Sequence, residues 1–446
     1  MTARAPLPPA ATIYAPATAP GRAAVGIVRV SGPDAAEACR RLTGREPPLP
    51  RRASLRRLID PADGGPLDDA VVLWMPGTGT STGEDVLELH HHGGRAVLAG
   101  ILSALAGTPG LRLAEPGEFA RRAFLNGRLD LTAAEGIADL VDATTRAQAR
   151  QALRQLDGHA GRLYAAWRER LLRGLALVEA EIDFGADESE VGEGLTRRVA
   201  PEVGEVADAI AAHLADGGRG ERLRAGIVVA VVGAPNAGKS SLVNLLARRD
   251  VAIVTPVPGT TRDVIEVPLD LGGLPVTLLD TAGLRETDDP VEAVGVERAR
   301  RRAADADLRL GVLDATAPRP ESIAGAEIVA LNKVDAAGPG AAGEAVPISC
   351  ATGEGVPELL SRLADEAGRL VAVGDEPVIT RARHREALAE AEAALGRFRR
   401  GTGDGLELAL LAEELRLAAA ALGRITGRVG AEEVLDRIFA TFCLGK

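Results

Sequence analysis

With 446 residues, the chain is long enough for roughly three domains, each burying its own core. Its 52 basic and 63 acidic side chains give a net charge of −11, which excludes a uniformly basic nucleic-acid wrapper and confines any RNA contact to a local patch or a partner. Aromatics make up only 2%, too few for the base-stacking platforms of single-strand binders. Three cysteines, Cys39, Cys350 and Cys443, form neither a disulfide framework nor a Cys-x-x-Cys pair, which points to a reducing cytoplasm. The first twenty residues carry no continuous apolar segment, and no 18 apolar residues run together, so neither a secretory signal nor a membrane span is expected.

Residues 1–130 mix strand-like runs with Gly/Pro turns; GIVRVSG (26–32) and AVVLWM (70–75) read as strands. TGEDVLELHHHGG (82–94) is dense in acids and histidines. His90, His91 and His92 would alternate across a strand and converge poorly on a metal. From 131 to 220 the period becomes helical: Leu153, Leu156, Ala160, Leu163, Trp167, Leu171, Leu175, Val178 and Ile182 predict one face of a single long helix.

Between 221 and 374, the short apolar runs IVVAVVG, VTLLD, LRLGVLD, IVALNK and VPISC alternate with helical or loop stretches, the pattern of a doubly wound, mainly parallel sheet. Helical spacing returns over 375–446, first at Leu408, Leu411, Leu415, Ala419 and Leu422, then at Val434, Leu435, Ile438, Phe439 and Phe442. The fold class expected is multidomain, α/β plus all-α: an N-terminal α+β domain, then a discontinuous helical domain into which the α/β domain is inserted. Two separate helical domains are the alternative.

GAPNAGKS (233–240) fits G-x-x-x-x-G-K-S/T between a strand and a helix. Gly233 and Gly238 let backbone amides turn toward phosphate oxygens, Lys239 supplies charge to the β- and γ-phosphates, and the Ser240 hydroxyl suits Mg²⁺. Asp280-Thr281-Ala282-Gly283 follows a strand and places a carboxylate and a glycine amide for the metal's water shell and the γ-phosphate. Asn332-Lys333-Val334-Asp335 follows another. A carboxylate at Asp335 accepts from guanine N1–H and N2–H, whereas adenine would leave it unpaired. Ser349, Cys350 and Ala351 sit where a last loop would pass the base. Together these elements read as a P-loop GTP/GDP-binding domain, with Asn236, Ala237 and Ser241 completing the phosphate-loop contacts.

VTPVPGTTRD (254–263) lies where a switch loop ordered by γ-phosphate and Mg²⁺ belongs, which adds Thr255, Pro256, Val257, Pro258, Gly259, Thr260 and Thr261 to the nucleotide set. Leu284 occupies the position that often holds a water-orienting Gln and cannot do that work, so another group must. Arg285, Glu286, Asp288, Asp289 and Glu292 are on offer, and spacing alone does not choose among them. The amide oxygen of Asn236 suits a monovalent cation able to neutralise developing charge.

On GIVRVSG, TGEDVLELHHHGG, PGEFARRAFLNGRLDLT, GAPNAGKSSLVN, PGTTRD, DTAGLRE, NKVD and the terminal FCLGK, the sequence resembles the MnmE/TrmE family of tRNA-modification GTPases over essentially its whole length. The resemblance implies an N-terminal folate-binding, dimerising domain and a homodimer. It also implies a heterotetramer with a flavin-dependent partner of the MnmG/GidA type, which installs an aminomethyl or carboxymethylaminomethyl group on C5 of wobble uridine in certain tRNAs. The one-carbon unit would come from a tetrahydrofolate derivative, in its 5,10-methylene or 5-formyl form, and GTP hydrolysis would be stimulated by K⁺. By the same resemblance, folate contacts fall on Arg29, Glu88, Arg128 and Lys446, K⁺ ligation on Asn236, Thr255, Val257 and Thr260, and Mg²⁺ on Ser240 and Thr261. It selects Glu292 as the group that activates water and Cys443 as a residue of the modification chemistry; a small buried residue is the other reading of Cys443. Departures from the family pattern include Arg128 where lysine is common, Ala234 for an arginine, and Cys350-Ala351 in the base-contacting loop.

A GTP-switched ribosome-assembly factor is the alternative from another class, but it calls for a basic RNA-binding module after the GTPase domain, where this tail has mixed charge. A membrane-remodelling GTPase would need an amphipathic basic helix or an anchor that the sequence does not offer.

Overall fold

The computed structural model describes residues 11–446 apart from 186–193, 250, 254–265, 282–300, 318–322, 324, 338–342, 372–378, 405–406, 430–431, 441, 443–444 and 446. The chain divides into two compact units, residues 1–138 with 423–446, and residues 139–422.

The first unit is built on a six-stranded sheet of β1 (Thr12–Pro16), β2 (Val25–Ser31), β3 (Ala53–Ile59), β4 (Pro66–Met75), β5 (Val86–His92) and β6 (Leu111–Leu113), ordered β3-β4-β5-β2-β1-β6. All neighbours are antiparallel except the β1–β6 edge pair. Period-two alternation turns Val28, Val30, Val72, Trp74, Leu87 and Leu89 to one face, where the helices Ala35–Thr43 and Arg95–Ala106 cover them. The opposite face keeps polar residues on β2 and β5. A second small core joins the helix Glu118–Leu125 to the tail helix Glu432–Ala440: Ala120, Leu131, Ala134, Leu435, Phe439 and Phe442 pack together. The chain approaches itself closely here, since a Cβ at Gly427 (φ 81°) would strike Phe124 and Leu131.

The second unit carries the helical bundle and the α/β domain. Helices His159–Gly185 and Leu195–Leu214 pack against Ala382–Asp404 from the far side of the sequence, burying Tyr164, Leu171, Val203, Ile210, Leu388 and Phe398. Ion pairs Arg399–Asp208 (2.7 Å) and Arg416–Glu179 (2.8 Å) tie the two halves, so the helical domain is discontinuous as expected. The single long helix expected over Leu153–Ile182 is instead two, Arg146–Leu156 and His159–Gly185. Gly158 adopts φ 77° and interrupts the i→i−4 ladder there, while Gly161 and Gly174 stay helical. The ends of the expected stripe, Leu153 and Ile182, are exposed.

The inserted domain has strands β7 (Ile227–Val232), β8 (Glu266–Leu271), β9 (Leu274–Asp280), β10 (Leu308–Asp314), β11 (Ile328–Asn332) and β12 (Val346–Pro347), ordered β12-β11-β10-β7-β9-β8. Every pairing is parallel except the β8–β9 hairpin. The near-continuous apolar strands are buried between helices that include Lys239–Ala247 and Val356–Val371. Among the described residues no helix is long and apolar enough to cross a membrane.

Candidate functional site

The C-terminal ends of β7, β9 and β11 converge, which is where open parallel sheets place ligands. β7 delivers the loop 233–238 into the helix Lys239–Ala247, whose N-cap is Gly238 at φ 102°. That conformation, with Gly233 at φ 150° and Asn236 at φ 63°, turns successive amides to one side. Neither glycine has room for a side chain: a Cβ at Gly233 would strike the Val312 carbonyl, and one at Gly238 the Asn332 amide. Asn236 is exposed and holds a left-handed conformation uncommon outside glycine, the kind of local strain that functional loops retain. Lys239 is buried, and its Nζ donates to the carbonyls of Gly233 (2.8 Å) and Ala234 (2.9 Å), so the ammonium is held inside the loop.

β9 pairs Asp280 with Val231 at the foot of the loop, and Asp280 is 1% exposed. Thr281 Oγ1 donates to the Val231 carbonyl (2.6 Å). Across the cleft, buried Asn332 donates from Nδ2 to the Ala237 carbonyl (2.9 Å) and accepts the Cys350 amide at Oδ1 (3.1 Å). Lys333, at φ 67°, sends Nζ to Asp314 Oδ2 at the end of β10 (2.5 Å). Hydrogen bonds from Lys333 and Thr316 hold the Asp314 carboxyl down at about 2. Ser349 is fully buried; its hydroxyl accepts the Thr352 amide (3.2 Å), and so it shapes the loop. Burial, with Asp335 nearby, pushes the Cys350 thiol up.

Pro235, Asn236, Gly238, Lys239, Ser240, Ser241, Asn332, Lys333, Asp335, Ala336, Cys350 and Ala351 line one cleft of about 760 Å³. That volume lies within the range of small-molecule sites. The cleft's chemistry fits a nucleotide: amides, a lysine and a helix N-terminus for phosphates at one end, an acceptor carboxylate for a base at the other. The structure thus brings together the expected residues of the phosphate loop, the Asn332–Asp335 segment and the last loop. Thr255, Pro256, Val257, Pro258, Gly259, Thr260, Thr261, Ala282, Gly283 and Glu292 lie outside the described residues, as do Cys443 and Lys446.

In the first unit Arg29 and Glu88 are register partners on β2 and β5, with Arg29 Nη2 2.8 Å from Glu88 Oε1. Arg29 Cζ lies 5.9 Å from the centroid of the Phe119 ring, a cation–π arrangement. Burial pushes the Glu88 carboxyl up, but Arg29 and His90 together outweigh it and hold it below the usual carboxylate range. Arg128 is exposed beside the turn at Gly83, whose neighbour Thr82 exchanges a 2.7 Å hydrogen bond with Ser31 on β2. A cationic group on an apolar ring beside an ionised carboxylate fits a ligand with an anionic tail and a donor edge, as folate has. Two participants escaped sequence reasoning. Asp314 was legible only as the end of the strand beside Asn332-Lys333, and His90 only through period-two spacing from Glu88.

Comparison with known proteins finds relatives along nearly the whole chain. The family model described as the MnmE helical domain matches residues 131–443, and that of the GTP-binding protein TrmE N-terminus matches 12–128. A curated relative from Methylobacterium sp. (strain 4-46), "tRNA modification GTPase MnmE", is 55% identical over 442 residues, covering 98% of this chain and 99% of its own. The human "5-taurinomethyluridine-tRNA synthase subunit GTPB3, mitochondrial" is 49% identical over 464 residues, covering 98% and 93%. Among solved structures, Era of Aquifex aeolicus bound to GDP and aluminium fluoride aligns with 37% of this chain and 66% of its own, at 29% identity and a TM-score of 0.25. The fold and cleft define a P-loop GTPase with a discontinuous helical domain, and the chain is a GTP hydrolase. It belongs to the MnmE family of tRNA-modification GTPases.

Proposed function

We propose that this GTPase modifies C5 of wobble uridine in certain tRNAs, adding an aminomethyl or carboxymethylaminomethyl group together with a flavin-dependent MnmG/GidA-type partner. The observation that carries the reading is family membership over 98% of the chain. The proposed division is a folate-binding and dimerising domain at 1–130, helical segments at 131–220 and 375–446, and a G domain at 221–374. Arg29, Glu88, Arg128 and Lys446 hold the tetrahydrofolate derivative, whose one-carbon unit is the group transferred.

In the G domain, Lys239 and the loop amides bind phosphate, Asp335 selects guanine, and Ser240 and Thr261 hold Mg²⁺. Asn236, with Thr255, Val257 and Thr260, holds K⁺, which supplies positive charge to the transferring phosphoryl group. Glu292 orients the attacking water, and Cys443 serves the modification step. The protein acts as a cytoplasmic homodimer and takes tRNA largely through its partner, in keeping with a net charge of −11.

Nucleoside analysis of tRNA from cells lacking the protein tests this reading. Loss of the C5 substituent at the wobble position, restored by the intact gene, is expected; unaltered wobble nucleosides would overturn it.

A further inference from the structure

The sheet face of the first unit that turns away from the Ala35–Thr43 and Arg95–Ala106 helices carries a connected polar array. Side chains two apart on a strand share a face, so β5 presents Glu88 and His90 together, and β2 sets Arg29 opposite Glu88. Both carboxylate oxygens of Glu88 are engaged. Oε1 accepts from Arg29 Nε (2.9 Å), and Oε2 lies 3.2 Å from His90 Nε2. A carboxylate only accepts, so the proton of this hydrogen bond sits on Nε2, which fixes the tautomer of a neutral ring. Oε1 also lies 2.8 Å from Arg29 Nη2, so the capacity left for a further donor is on Oε2.

We propose that His90 is a positioning residue for Glu88 in the tetrahydrofolate site: it locks the carboxylate so that its remaining lone-pair capacity meets a donor edge of the ligand. This rests on the folate reading of the Arg29–Glu88 pair given above.

Calorimetric titration of the full-length protein with 5-formyl-tetrahydrofolate tests this, with GDP affinity and the melting curve as controls for folding. His90→Ala should weaken folate binding about tenfold at neutral pH. His90→Gln, which keeps a donor for Glu88, should restore most of the affinity. If the wild type binds folate and His90→Ala matches it in affinity, this inference is overturned while the folate reading stands. If the wild type binds GDP but not folate, both fall together.

Discussion

Asn332 reaches across the nucleotide cleft to Ala237, donating its side-chain amide to that backbone carbonyl at 2.9 Å, while its amide oxygen takes the Cys350 N–H. One 2%-exposed side chain therefore joins the phosphate loop to the base-side loop and makes their spacing a property of β11. The two loops are distant in sequence, so this tie bears directly on how well a nucleotide can span them.

Asn332→Ala leaves a buried carbonyl and a part-buried amide without partners, at a cost of about 1–3 kcal/mol in stability. GDP affinity should fall at least tenfold, because the loops lose their common anchor. Thermal melting with equilibrium nucleotide binding checks this, and a variant that melts and binds like the wild type would show that the tie is dispensable.

How legible was this arrangement? The phosphate loop was readable because Gly233, Gly238, Lys239 and Ser240 must follow a strand and open a helix, and they do. The parallel sheet was readable from its apolar runs. The break at Gly158 was not, since a glycine inside a helical pattern can leave the helix or stay in it: Gly174 stays helical, with Val199 packed where its Cβ would be. The Arg29–Glu88–His90 array was hidden for another reason. Residues 29 and 88 meet only through the β2–β5 register, which no local pattern encodes.

Asp335 tests the base assignment. Its carboxylate lines the cleft with Asn332 and Lys333, and as an acceptor it matches the N1–H and N2–H donors of guanine. Asp335→Asn introduces a donor that meets the guanine amine poorly and the C2 carbonyl of xanthine well. Competition binding should show GDP affinity falling at least a hundredfold and xanthosine diphosphate gaining on it, because the bound base covers the carboxylate and leaves mismatched groups unpaired. Unchanged preference for GDP would place base recognition elsewhere.

Asp314 anchors Lys333 from the neighbouring strand at 2.5 Å, and its carboxyl is held down at about 2, first by Lys333 and then by Thr316. A depressed carboxyl contributes stability that is fully present above the ordinary carboxylate range and lost as pH falls toward its folded value. Asp314→Asn should therefore lower the melting temperature at pH 7, with the gap to the wild type closing between about pH 4 and about pH 2. Melting curves across that range decide the matter; a gap that persists unchanged at the acid end would mean that the carboxylate's charge is not what matters.

Arg29 and Glu88 give the corresponding test in the first unit. Burial raises the Glu88 carboxyl, and Arg29 and His90 reverse that effect; the side chain is only 14% exposed. Arg29→Ala leaves the carboxylate with His90 alone in a part-buried site, so its titration should move upward and the fold should lose about 1–3 kcal/mol near neutral pH. Because the wild-type carboxyl sits below its unfolded value, the pair's contribution is present above the carboxylate range and disappears as pH falls through the folded value. The Glu88→Gln variant has no such charge to lose, and its stability relative to the wild type should improve toward acid. Carbon-detected NMR titration of the Glu88 carboxyl, with melting at pH 7 and pH 4, reads both effects. A Glu88 carboxyl that titrates identically with and without Arg29 would show that the 2.8 Å pair does not set its charge.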